Sequence, residues 1–126
     1  MIGYKIDCIH RTIDAIVINN HKDIMREIGN NCNAFICPYI LSNGDVIFAD
    51  YYGFFKNNNN AIMHNEYEMP IYGNIVIVGI NELGEIANVL TEYTSLNDNI
   101  SFLNIKLARR LSNNKPYNES TTFSKN

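Results

Sequence analysis

The tetrapeptide Ser42-Asn43-Gly44-Asp45 stands between two apolar runs, 34–41 and 46–49, and constrains this chain more than any other feature. Asn-Gly accepts the positive backbone angles that a tight turn demands, so the flanking runs fold back on each other as antiparallel strands. A second turn, Asn81-Glu82-Leu83-Gly84-Glu85, joins the run 74–80 to Ile86, Ala87, Val89 and Leu90. Near the start, Tyr4, Ile6 and Cys8 alternate with Lys5 and Asp7. After His10-Arg11 the same two-residue period resumes at Ile13, Ala15 and Val17, which reads as a further hairpin.

Asn20 can cap a short helix, with Asp23 three residues on, Ile24 and Ile28 on one face and Gly29 as its stop. Residues Asp50 to Pro70 are polar and irregular apart from Phe54, Phe55 and a few others, and read as a long loop. Ser95 opens a last helix, in which Leu96, Ile100, Leu103, Leu107 and Leu111 form one stripe suited to packing on a sheet. The expected fold is α+β: an antiparallel sheet built from hairpins, one short helix and one longer C-terminal helix. It forms a single domain over residues 1–112. The polar tail 113–126 has no period and runs loose unless a partner orders it.

A composition that is 46% hydrophobic and 18% charged favours a core over disorder. No apolar run approaches the roughly 20 residues that span a bilayer. The opening Met-Ile-Gly-Tyr-Lys-Ile-Asp lacks a cationic stretch followed by an apolar one, so neither a membrane protein nor a secreted precursor is expected. Cys8, Cys32 and Cys37 cannot all pair, and each suits a small buried thiol in a reducing compartment. Charge is polarised: the chain from Lys106 onward carries +4, whereas the residues before it carry −7. An acidic body argues against sequence-independent binding of nucleic-acid polymers, and a compact cationic end suits one anionic ligand.

No catalytic constellation assembles. His64-Asn65-Glu66 matches half of a zinc-deaminase signature, but the Pro-Cys-x-x-Cys half is missing, and a loop histidine is the simpler reading. Cys32 and Cys37, five apart, would point to opposite faces of a strand and disfavour a shared metal. There is no nucleophile elbow and no glycine-rich phosphate loop, so no catalytic residue, metal or cofactor is assigned.

The pair Arg109-Arg110 remains. In the last turn of a helix it caps the negative end of the dipole, or it captures an anion, since a guanidinium forks onto phosphate and lies flat on a purine. Tyr93, Asn88 and Thr91 would then supply stacking and base-edge hydrogen bonds if the fold brings them round. On the same helix, Phe102 and Ile105 lie opposite the packed stripe with Arg109, a face suited to an oligomer interface.

The strand entry Ile71-Tyr72-Gly73-Asn74-Ile75-Val76-Ile77-Val78-Gly79, the glycine turn leading to Leu90-Thr91 and the C-terminal arginine pair give the chain a resemblance over most of residues 1–112. It resembles the phage anti-defence sponge proteins that counter the bacterial Thoeris system, the first type described. The resemblance implies a non-enzymatic homo-oligomer, dimer-based and rising to a hexamer, in the cytoplasm of the infected bacterial host. Such a protein binds the glycocyclic ADP-ribose signal of a TIR-domain protein and withholds it from its effector. It implies a ligand contact at Arg109, and in some members a separate site for cyclic di- or trinucleotides. The isolated cations Arg26 and Lys56 are the candidates here for that second site. An enzyme that degrades such a signal, or a protein-binding module that blocks a host factor through the Phe102 face, are the alternatives.

Overall fold

The computed structural model describes residues 1–56 and 59–104. Strands β1 (Ile2–Asp7) and β2 (Thr12–Val17) pair in unbroken antiparallel register, Ile2 opposite Val17 and Asp7 opposite Thr12. Helix α1 (His21–Ile28) starts where Asn20 Oδ1 accepts the Asp23 N–H at 3.0 Å, and stops at Gly29, whose φ is 71°. Strands β3 (Phe35–Ile40) and β4 (Val46–Asp50) form the Asn-Gly hairpin, with Gly44 at φ 96° and a register shift between Ile36 and Tyr39 beside Pro38. Then come α2 (Gly53–Lys56), β5 (Asn60–His64), β6 (Ile71–Tyr72), β7 (Ile75–Ile80), β8 (Ile86–Ala87), α3 (Tyr93–Asn99) and β9 (Ile100–Asn104).

The main sheet runs β2-β1-β7-β4-β3, with β8 on β7, and a smaller sheet runs β6-β5-β9. Every pairing is antiparallel. Strand β7 is central and apolar at almost every position because both its faces are covered. Val76 and Val78 pack with Ile18, Ile24 and Ile28 under α1. Ile75 and Ile77 pack with Ile6, Ile47, Ile62, Ile71 and Leu96 between the main sheet, the small sheet and α3. The α+β class and the antiparallel sheet therefore hold, with α1 on one face and the small sheet on the other.

Two expectations are corrected. The stretch 50–70 is not a loop throughout: it holds α2 and β5, whose Ala61 and Ile62 are fully buried. The long C-terminal helix ends at Asn99, and residues 100–104 form β9, with Ile100 opposite His64 and Phe102 opposite Ile62. Ile100 and Phe102 fit a two-residue period as readily as Ile100 and Leu103 fit a helical one over so short a window, and β5 supplies the open edge that decides between them. Leu107, Leu111 and the tail 113–126 lie outside the described residues. No described helix is long and apolar enough to cross a membrane.

Candidate functional site

The segment 88–92 links β8 to α3 and, with Tyr93 as the first residue of α3, brings in three of the expected ligand residues. It has no regular structure of its own, so its backbone is held by side chains. Asn88 Oδ1 accepts the Ile2 N–H at 2.8 Å, and the Val89 N–H donates to the Ile2 carbonyl at 2.9 Å, which ties the segment to the start of β1. At Leu90 and Thr91 the holding group is Asp45, fully buried at the end of the Asn-Gly turn. Its carboxylate accepts the Leu90 N–H at 3.0 Å, the Thr91 N–H at 2.8 Å and the Thr91 hydroxyl at 2.6 Å. Asn43 Nδ2 donates to Thr91 Oγ1 at 2.8 Å and completes the clamp.

Asn88 and Thr91 therefore serve the scaffold first. What the clamped segment presents outward is Asn88, Leu90, 68% exposed, Glu92 and Tyr93, 48% exposed. The Tyr93 ring lies 6.4 Å from that of Tyr4 with its plane tilted by 55°, which leaves an aromatic surface open at the edge of the second core. The structure thus brings Asn88, Thr91 and Tyr93 together, with roles divided between support and presentation.

The other expected residues stand elsewhere. Arg109, Arg110 and Ile105 lie outside the described residues. Because α3 gives way to β9, the helix expected to open at Ser95 does not carry Ile100, Phe102 or Leu103. Phe102 is half-buried against the core rather than on an outward face, so the basis for reading it as an oligomer contact is gone. Arg26 is exposed on α1 and bonds Asp23 at 2.8 Å. Asn19 N–H and this guanidinium hold the Asp23 carboxyl below its ordinary pKa, against the opposing effect of burial.

Lys56 has all three donors engaged: Asp50 Oδ2 at 2.9 Å and the carbonyls of Asn31 at 3.0 Å and Asn30 at 3.2 Å. Asn30 and Asn31 both have positive φ, at 51° and 57°, so Lys56 secures a tight turn after α1. It also lines a cleft of about 440 Å³, together with Asp7, His10, Asn30, Asp50 and Asn74, which Arg26 does not reach.

At the cleft mouth is a pair that sequence reasoning missed. Asp7 Oδ1 accepts the N–H groups of Ile9 and His10, and Asp7 Oδ2 lies 3.0 Å from His10 Nδ1. Burial raises the Asp7 pKa, but the His10 backbone and ring and the Ile9 N–H outweigh it and hold the carboxyl below its ordinary value. An ionised acceptor requires a proton on Nδ1, so the His10 ring donates this bond. Three-residue spacing across a hairpin turn was the available signal.

His64, read as a loop residue, closes β5 and is buried. Its Nδ1 accepts the Glu66 N–H at 3.0 Å, and Glu66 in turn accepts from the N–H and hydroxyl of Ser42, so neither group of the His-x-Glu match is available to a metal through those atoms. Of the three thiols, Cys8 is buried, Cys32 half-buried and Cys37 exposed; burial pushes the last two above the ordinary thiol pKa. Among the described residues no group of three or more His, Cys, Asp or Glu is placed to hold a metal ion. Comparison with known protein families, characterised proteins and solved structures returned no match.

Proposed function

We propose that the chain is a non-enzymatic sponge that captures a cyclic ADP-ribose-type signal, glycocyclic ADP-ribose in the reading suggested by its family resemblance, within the cytoplasm of an infected bacterium. The observation that carries the proposal is the clamped segment 88–92, which holds Tyr93 and Leu90 outward on a backbone already fixed by Asn88, Thr91 and Asp45. A flat base gains most from a stacking surface that loses little freedom on binding. Arg109 and Arg110 supply the phosphate contacts in this reading, from beyond the described residues, and the assembly is a homo-oligomer. A second site for cyclic oligonucleotides draws less support, because Lys56 is fully engaged within the fold.

The test is to incubate the protein with the signal, denature it by heat and analyse what is released. Intact ligand supports capture, and altered ligand refutes it. Arg109→Ala should weaken binding by about 1.5–3 kcal/mol, roughly ten- to a hundredfold, as expected for one charge-assisted hydrogen bond. The enzyme alternative has one observation in its favour, the Asp7–His10 pair at the cleft. If the released ligand is altered and His10→Ala restores it intact, that reading replaces the first.

A further inference from the structure

The two edges of the main sheet differ in kind. β3 carries Pro38 and a break in register, two devices that prevent another strand from adding to it. β2 has neither: it contains no proline and no lysine, and all six of its residues pair with β1 in register. The direction of its unpaired groups follows from one hydrogen bond. The Ile18 N–H donates to the Met1 carbonyl at 2.7 Å, continuing the β1–β2 register by one step, so Ile18 faces β1. Alternate residues of an antiparallel strand turn their N–H and C=O to opposite sides, so Ile16, Asp14 and Thr12 also face β1, and Ile13, Ala15 and Val17 point away from the sheet. No turn, loop or side-chain hydrogen bond among the described residues reaches these three. Among the described strands, β2 pairs with β1 alone.

We propose that this edge is the pairing surface for a second copy of the same chain, β2 against β2 about a two-fold axis normal to the sheet. Such an axis requires opposite residues to share a face, which restricts the central registers to two. Centring on Asp14 sets two carboxylates directly opposite each other and lets only Ile13 and Ala15 bond across, with Val17 left out. Centring on Ala15 puts Ala15 against Ala15 and Ile13 against Val17 twice, and every outward N–H meets an outward C=O. Asp14 then lies opposite Ile16, and no like charges meet. Val17, 58% exposed in the single chain, and the exposed Ala15 are covered by aliphatic neighbours. The strand is thus complementary to itself in one register, which is what an isologous interface requires. This inference is independent of the ligand reading.

Sedimentation of the full chain over a dilution series tests it. Wild type should run at twice 14.4 kDa or an even multiple of it. Ala15→Pro removes the outward N–H without touching the bonds to β1, and should split the pair while thermal melting still reports a folded protein. Should that variant fail to fold, Ala15→Lys and Ala15→Asp decide: each alone loses the pair, and an equimolar mixture regains it. A wild-type mass of one chain overturns the proposal. So does a folded Ala15→Pro variant at the wild-type mass, or Ala15→Lys at the wild-type mass.

Discussion

Replacing Asp45 with alanine should destabilise this protein strongly. The carboxylate is fully buried, no described cation faces it, and it takes the N–H groups of Leu90 and Thr91 and the Thr91 hydroxyl. An alanine removes the acceptor and leaves two backbone donors with no protein partner, each worth about 1–3 kcal/mol when left unsatisfied. A total near 3 kcal/mol is reasonable, because water reaching the exposed Leu90 recovers part of the loss. At about 2.1 cal/mol/K per residue of unfolding entropy, 3 kcal/mol lowers the Tm of a 126-residue chain by roughly 11 °C. Differential scanning calorimetry measures it directly. The partner test is Thr91→Val, which should cost about 1–2 kcal/mol in the wild type and clearly less in the Asp45→Ala background, where of the two hydroxyl contacts only the one from Asn43 is left to lose. A Tm drop of less than about 3 °C, or fully additive effects of the two substitutions, would refute the clamp.

Burial lowers the His64 pKa below its ordinary 6.5, against the opposing pull of Glu66. The unfolded chain therefore binds this proton more readily than the folded one, and stability should fall as pH drops below 6.5, by at most about 1.4 kcal/mol per pH unit; urea melts at stepped pH would show it, and His64→Gln should flatten the slope. Phe102→Glu places a charge against the core and should lower the Tm by many degrees at unchanged association state per folded molecule, whereas an outward Phe102 would lose association and keep its melting point. Lys56→Met strands the buried Asp50 carboxylate and frees two carbonyls, a loss of about 3–5 kcal/mol in denaturant melts, and Lys56→Met with Asp50→Asn should recover much of it.

The sequence announced local structure well. Asn20, Gly29 and Gly44 act through their own backbone and nearest neighbours, so the ends of α1 and the Asn-Gly turn were legible to the residue and the strands beside that turn to within one. What depended on a distant partner was not. β9 and β5 define each other across some forty residues, and Ile100-Ser101-Phe102-Leu103 alone fits a helix stripe as well as a strand. The same limit explains the site: Tyr93 reads as an available ring from its type, but nothing local marks Asp45, an ordinary turn residue, as the group that fixes Thr91. Thr91 and Asn88 were recognised as polar groups able to bond a ligand, and the structure shows the Thr91 hydroxyl and the Asn88 Oδ1 engaged by the scaffold.

The centre of the main sheet is β7, yet it is encoded after both hairpins that it joins. During synthesis, β1–β2 and β3–β4 leave the ribosome with bare inner edges and wait for residues 75–80 before either can close on anything. An emerging chain of this kind passes through a sticky interval whose length is set by translation speed, and slowing elongation between residues 50 and 75 should cost yield through aggregation while leaving the finished molecules unchanged.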